Sequence, residues 1–294
     1  MGRLVDIGDT ALWIEERGAA DAFPLLIFHG GPGLDHTTFG DYLDPLAKDG
    51  RYRLVLVDER AQGRSDRSAP PETWTLAQMA HDVSALAEAL GAAAAYATLG
   101  HSYGSFVVLQ HAVDHPGEPV ATIVSSGVAD ARWLAGVEDQ LAAFEPASLR
   151  EQVSSSWARE ATVGSEAEAA ELLHDQLPFH FKDPTGPLIA EYESRCTGAR
   201  YAPDVLRHFA TQDYGGIDVI DRLGDVTHPV LVLSGRYDRA CPAAAGEEMA
   251  AKLPAADLVI FEDSAHMTYV EEQPRYLDVV RRFLDRSTSA SDRS

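Results

Sequence analysis

The sequence contains little cysteine and little basic charge. Its two cysteines, Cys196 and Cys241, stand far apart in 294 residues and do not make a disulfide framework, so a reducing compartment is the default. Against 24 basic side chains there are 46 acidic ones, and the net charge of −22 would repel nucleic-acid phosphates and anionic lipid surfaces. We therefore expect neither a nucleic-acid nor a membrane partner.

Long apolar runs are also missing. No stretch approaches the roughly 20 apolar residues that a membrane span needs, and the first residues lack the run of about seven that forms a signal-peptide core. We therefore expect a cytoplasmic protein. The rest of the composition, 45% hydrophobic and 24% charged, is ordinary for a globular protein, and the length suits one α/β core with an inserted subdomain.

Short runs rich in Val, Ile and Leu alternate with segments of helical spacing. This alternation is typical of a mostly parallel sheet with helices on both faces. The predicted strands are 25–28, 52–57, 96–99, 120–124, 230–233 and 258–261, preceded by a hairpin of 3–7 and 11–16. The predicted helices are 76–90, with Thr75 as N-cap and Gly91 as stop, 106–113 and 273–284.

The strand signal disappears between about residues 130 and 216. This segment is rich in Ala and Glu and predicts helices, so we divide the chain into a core of 1–128 and 217–294 and a helical cap of 129–216. Ligands of open α/β sheets bind beyond the carboxyl ends of the strands, so a cap inserted there would be a lid over the active site. The polar, Ser-rich tail 286–294 predicts disorder.

The sequence G-H-S-Y-G at residues 100–104 lies between a predicted strand and a predicted helix. This is the context of the G-x-S-x-G nucleophile elbow, which exposes a serine at a sharp turn. A β-carbon at either flanking position would clash in such a turn, which explains the two glycines. The pattern predicts Ser102 as a nucleophile; the alternative is an ordinary Gly-rich turn.

The sequence H-G-G-P-G at residues 29–33 directly follows the strand 25–28. Such a loop can bring a backbone N–H against a substrate oxygen, and we predict that Gly31 and Tyr103 supply the two N–H groups of an oxyanion hole. The alternative is a structural turn that makes no substrate contact. His29 is expected to brace the loop.

A base and an acid are expected from later loops, in the order Ser, Asp or Glu, His. Asp238 and His266 each follow a predicted strand, so we predict His266 as the base and Asp238 as the acid that orients it. Asp263, three residues before His266, is the alternative acid. Ser102 would attack a carbonyl and water would release the acyl group, a reaction that needs no metal or organic cofactor.

These motifs resemble the proline iminopeptidase family of α/β-hydrolases. The resemblance extends to D-E-R-A-Q-G-R-S-D at 58–66, a loop expected to be structural, G-R-Y-D at 235–238, A-H-M at 265–267 and E-E-Q-P at 271–274. It implies an α/β-hydrolase fold with a helical lid, and a triad of Ser102, Asp238 and His266. It also implies removal of an N-terminal residue, often proline, from short peptides.

The same resemblance implies lid glutamates that hold the substrate's free amino group. Where relatives often carry G-P-x-E-F, this chain has G-A-R-Y-A at 198–202, without the glutamate. Glu191, Glu193 and Glu171 are the candidates to replace it.

Three functions stay open at this point. The first is an aminopeptidase acting on a short peptide with a free α-amine. The second is a hydrolase or acyl-transfer enzyme for an ester, lactone or amide of another small molecule. The third is a binding scaffold without activity, against which the complete triad argues. A carboxylate of the lid in the active site would favour the first function, and an apolar pocket without one would favour the second.

Overall fold

The computed structural model describes residues 2–291, and these residues form a central eight-stranded sheet flanked by helices. The strands are β1 (Gly2–Asp6), β2 (Ala11–Arg17), β3 (Phe23–Phe28), β4 (Tyr52–Asp58), β5 (Ala97–His101), β6 (Ala121–Ser125), β7 (Val230–Gly235) and β8 (Ala256–Phe261). Each predicted strand is present, with its bounds within two residues of those expected. Their order is β1-β2-β4-β3-β5-β6-β7-β8.

The sheet is mostly parallel, as predicted. β2 pairs antiparallel with both β1 and β4, and the remaining neighbours pair parallel. The helices of the core are α1 (Leu76–Ala89), α2 (Tyr103–Asp114), α8 (Ala243–Lys252), α9 (Thr268–Glu271) and α10 (Gln273–Ser291). Thr75 caps α1 as predicted, because its hydroxyl accepts the N–H of Gln78 at 3.1 Å.

Alternate strand residues point to opposite faces of the sheet and enter two apolar cores. On one face, Leu26 and Val55 belong to a core that α1, α2 and α8 complete. On the other face, Leu25 and Leu54 belong to a core that α10 completes. Burial on both faces explains why these strands read as continuous apolar runs in the sequence.

Between β6 and β7 the chain is helical. This segment contains α3 (Val137–Ala142), α4 (Ala147–Arg159), α5 (Glu166–His180), α6 (Pro187–Arg195) and α7 (Pro203–Ala210). Its two ends meet in an isolated bridge between Asp130 and Asp218, close to the predicted bounds of the cap. The division into core and cap stays a prediction, and we use the word cap for residues 129–216.

The predicted disorder of the tail is wrong for residues 286–291, which continue α10. Ser287 is buried, and its hydroxyl donates to the carbonyl of Phe283 at 3.0 Å, so a serine that looks polar in sequence is absorbed into the helix. Residues 292–294 of that prediction lie outside the described residues. Within 2–291, every helix is too short or too polar to cross a bilayer.

Candidate active site

The predicted site residues follow four strands whose carboxyl ends meet at one edge of the sheet. Gly31 follows β3, Ser102 follows β5, Asp238 follows β7 and His266 follows β8. β3 and β5 are neighbours, while β4 lies on the outer side of β3 and β6 on the outer side of β5. The connections therefore diverge between β3 and β5, and such a switch point opens a crevice at the carboxyl edge.

Ser102 stands at the apex of the turn between β5 and α2. Its backbone has φ 53° and ψ −120°, a strained conformation for a residue with a side chain. A β-carbon on Gly100 would overlap the carbonyl of Gly104, and one on Gly104 would overlap the carbonyl of Phe28. The two glycines are therefore required for the turn, for the steric reason that the motif predicted.

The H-G-G-P-G loop lies against this turn. A β-carbon on Gly30 would stand 2.9 Å from Cβ of Ser102, and Gly31 has φ +60°. Tyr103 is the first residue of α2, and the first N–H groups of a helix have no partner within it. Gly31 and Tyr103 line the same cavity as Ser102.

His29 is fully buried behind this loop. Its Nδ1 donates to the carbonyl of Gly30 at 3.1 Å, and its Nε2 accepts the N–H of Glu59 at 3.4 Å. Burial lowers the pKa of the imidazole. These bonds hold the loop to the end of β4, the bracing role expected for this residue.

Asp238 and His266 are joined by a hydrogen bond. His266 Nδ1 donates to Asp238 Oδ2 at 2.8 Å, and Oδ1 of the same carboxylate accepts the N–H groups of Ala240 and Cys241, each at 2.9 Å. The Asp238 side chain is fully buried. Its carboxylate is thus fixed by the backbone and leaves one oxygen for the histidine.

Asp263, the alternative acid, is directed elsewhere. Its side chain is 79% exposed and forms an ion pair with Lys182 at 2.9 Å, and this pairing lowers the pKa of the carboxyl. It makes no bond to His266 among the described residues. The geometry therefore favours Asp238.

A cavity of about 610 Å³ lies between the core and the cap, and both Ser102 and His266 line it. Most of its wall is apolar and comes from the cap, including Leu134, Val137, Leu141, Trp157, Leu173 and Leu177. This volume is in the range of sites that hold a drug-sized ligand. The cap residues that line this cavity could not be identified from the sequence, because apolar residues of helices there look like ordinary packing positions.

One buried carboxylate of the cap lines this cavity, and the sequence did not single it out. Glu160 accepts a hydrogen bond from Nε2 of Gln176 at 2.6 Å on one oxygen and from the Tyr214 hydroxyl on the other. Burial raises the pKa of this carboxyl. Both partners lie far from Glu160 in sequence, so no local pattern marks it among the many glutamates of the cap.

The three glutamates proposed from sequence do not line this cavity. They pair with other residues of the protein: Glu171 with Arg159, Glu191 with Arg195 and Glu193 with His174. Glu160, a buried carboxylate of the cap that lines the cavity, thus lies at a position that the sequence analysis did not indicate.

Among the described residues, Asp35, His36 and Asp58 could together hold a metal ion, since each brings a ligand atom within 4.8 Å of the others. None of them lines the cavity that contains Ser102. Their atoms already form hydrogen bonds: His36 Nδ1 with Asp58 Oδ1, and Asp35 Oδ2 with Nη1 of Arg64 at 2.7 Å. This cluster ties the 58–66 loop to the protein and explains that loop's structural role.

Comparisons with known proteins agree with this architecture. A family model described as alpha/beta hydrolase fold matches residues 24–273. The chain is also similar to a proline iminopeptidase of Clostridium botulinum, with 26% identity over 278 residues that cover 90% of each protein. The resemblance drawn from the sequence motifs is thereby confirmed.

Solved structures show the same likeness. A proline iminopeptidase from Mycobacterium smegmatis has 24% identity and a TM-score of 0.75, covering 99% of this chain and 100% of that one. A thermophilic esterase from Thermogutta terrifontis has 20% identity and a TM-score of 0.72, covering 98% and 99%. At these identities the structures establish a shared fold, and the predicted fold class is confirmed.

Proposed function

Because this chain belongs to the α/β-hydrolase family, we propose that it cleaves an amide or ester bond through an acyl-enzyme on Ser102. His266 takes the hydroxyl proton and later returns it to the leaving group, while Asp238 holds the imidazole in the tautomer that can accept it. The N–H groups of Gly31 and Tyr103 stabilise the oxyanion. Water then attacks the acyl-enzyme and regenerates the serine.

Two observations support these roles. The 2.8 Å bond between Asp238 and His266 is the one that the mechanism needs, because it places the proton on Nδ1 and leaves Nε2 as the basic nitrogen. The strained turn at Ser102 presents the serine to the cavity that His266 also lines. The proposed mechanism requires Ser102 and His266 to line the same cavity, and both of them do.

The substrate that we propose is a short peptide with a free N-terminal amine, and the observation that carries this part is Glu160. A carboxylate in a mostly apolar cavity is costly unless a cation compensates it, and the raised pKa of Glu160 reflects that cost. A substrate ammonium group would supply the missing charge. Gln176 and Tyr214 hold the carboxylate in place before the substrate arrives.

The relatives that bear the name proline iminopeptidase support proline as the N-terminal residue. The net charge of −22 supports small substrates over nucleic acids or membranes as partners. Both cysteines are free thiols, which is compatible with the cytoplasmic location that we propose.

The substrate is tested by comparing three compounds: a proline arylamide, its N-acetylated form and a short-chain aryl ester. We expect turnover of the free-amine arylamide, with no turnover of the acetylated form, because acetylation removes the charge that Glu160 recognises. Ser102→Ala is the blank for all three. Equal turnover of the free and acetylated arylamides would contradict an amine-binding site.

Glu160→Gln tests the carboxylate itself. It should lower kcat/KM for the proline arylamide by about 100-fold, because the buried partner of the ammonium group loses its charge. Turnover of an aryl ester without an amine should change little. Glu138→Gln is the matched control, since Glu138 also lines the cavity but is exposed on α3. An equal loss in both variants would remove Glu160 from this role.

A second function is supported by the apolar cap wall, which suits an uncharged acyl group or leaving group. In that case the same Ser102 chemistry would act on an ester or lactone. Turnover of the aryl ester alone, unaffected by Glu160→Gln, is the result that would favour this function over the peptidase.

A further inference from the structure

The imidazole ring of another histidine, His180, packs against the ring of His266. His180, the last residue of α5, has its ring centroid 4.9 Å from that of His266, with 36° between the planes, and it lines the cavity. In sequence it is one of several cap histidines with no motif around it. The fold brings it from the cap onto the catalytic edge of the sheet.

The main chain at His180 is bonded directly to the loops that carry the triad. The N–H of His266 donates to the carbonyl of His180 at 3.0 Å. Nη1 of Arg239, the residue after Asp238, donates to the carbonyls on both sides, Phe179 at 3.0 Å and Phe181 at 2.8 Å. Arg239, the neighbour of Asp238, and His266 therefore fix the position of this cap segment.

Glu271 makes the same connection from α9. One of its oxygens accepts the N–H of Lys182 and the other accepts the N–H of Ala265, each at 2.7 Å. Lys182 lies two residues after His180, and Ala265 lies directly before His266. The carboxylate of Glu271 thus links the cap segment around His180 to the loop that carries His266.

The side chain of His180 has hydrogen-bonding capacity that the protein leaves unused. Neither ring nitrogen bonds to another described residue, and Nδ1 is buried. Burial, His266 and Arg239 lower the pKa of His180 well below its usual range, so the ring is neutral and offers one donor and one acceptor. His101, which also packs on His266, has Ser125 as a partner for its Nδ1 at 3.4 Å.

We propose that His180 is a further catalytic residue, which hydrogen-bonds the leaving group of the substrate beside the bond that is cleaved. His266 must return its proton to the leaving group, so a polar ring packed on His266 lies next to that group's path. His180 would then favour leaving groups that carry a carbonyl or N–H close to the scissile bond, as the rest of a peptide does. This inference rests on the proposed acyl-enzyme chemistry of Ser102.

The test measures kcat/KM of three enzymes with each of two substrates. The substrates share a prolyl group: one is the anilide, whose leaving group has no polar atom beyond the scissile nitrogen, and the other is prolylglycinamide, whose leaving group also carries a carbonyl and an amide N–H. If the wild-type enzyme accepts only esters, phenyl acetate and the acetyl ester of glycolamide form the equivalent pair. The enzymes are the wild type, His180→Phe, which keeps a ring on His266 without nitrogens, and His180→Gln, which restores a hydrogen-bonding side chain.

We expect His180→Phe to lower kcat/KM for the amide-bearing leaving group about tenfold more than for the aryl one, mainly through kcat. His180→Gln should recover part of that difference. The rate of Ser102 labelling by a fluorophosphonate should stay close to wild type in His180→Phe, because the leaving group of that reagent is fluoride.

Equal losses on both substrates would overturn the inference, since His180 would then act only as packing for His266. A fall in labelling that matches the fall in hydrolysis would overturn it for the same reason. Turnover that survives in Ser102→Ala is a different result: it would remove the proposed acyl-enzyme and, with it, this role of His180.

Discussion

Nδ1 of His266 and Oδ2 of Asp238 stand 2.8 Å apart, and the other oxygen of Asp238 is held by two backbone N–H groups. The two backbone N–H groups would hold the amide oxygen of an asparagine at this position, so its NH₂ group would face the histidine and the productive tautomer would be lost. We predict that Asp238→Asn lowers kcat by about 10⁴-fold without unfolding the protein.

The matched control for Asp238→Asn is Asp263→Asn, which removes a carboxyl group that is exposed and paired with Lys182. It should retain nearly full activity in the same steady-state assay. A large loss for Asp263→Asn together with near-wild-type turnover for Asp238→Asn would reverse the assignment of the acid.

Gly100 allows the closest approach in the turn that carries Ser102. A β-carbon there would overlap the Gly104 carbonyl, and neither backbone segment can move without disturbing the sheet. Gly100→Ala should lower the free energy of unfolding by at least about 3 kcal/mol, or prevent folding. The measurement is urea denaturation followed by circular dichroism.

Gly136→Ala is the control for that experiment. Gly136 has φ −74°, and a β-carbon there meets no atom within 4 Å. Its stability should stay within roughly 0.5 kcal/mol of wild type. Equal stabilities for the two alanine variants would show that the turn at Ser102 is less tightly packed than the contacts of Gly100 imply.

Glu271 predicts a pH dependence of stability. Burial raises the pKa of its carboxyl to about 7, from an ordinary value of 4.5. The folded protein therefore binds this proton more tightly than the unfolded chain does. The contribution of protonated Glu271 to the free energy of unfolding is full below pH 4.5 and is lost as the pH rises through 7. Between about pH 5 and pH 8, the wild type should lose more stability than Glu271→Gln.

The comparison requires unfolding curves at both pH values for each protein. Glu138→Gln, which removes an exposed carboxyl, should keep the wild-type pH dependence. Wild-type and Glu271→Gln stabilities that change in parallel would mean that Glu271 does not titrate in this range.

Features that depend on short stretches of sequence could be predicted. The strands were found because each is a short apolar run bounded by turn residues, and the geometry at Ser102 follows from glycines two residues away on either side. Asp238 and His266 were found because residues after parallel strands share one edge of the sheet. In each case the signal lies within a few residues of the feature.

Features that depend on distant contacts could not be predicted. Glu160 is held by hydrogen bonds from Gln176 and Tyr214, and the segment of His180 is held by hydrogen bonds from Arg239 and His266. The helix through residues 286–291 was missed because its serines and threonine look like a polar tail. The hydroxyls of Ser287, Thr288 and Ser289 instead donate to carbonyls of the preceding turn.

The nucleophile is the residue on which the proposed chemistry depends, and covalent labelling identifies it. The protein is treated with a fluorophosphonate, its intact mass is measured and the modified peptide is mapped. We predict one added phosphonyl group, located on Ser102, and no labelling of Ser102→Ala, whose thermal midpoint should match the wild type. Labelling that persists in Ser102→Ala, or that maps to another residue, would contradict the assignment of Ser102 as the nucleophile.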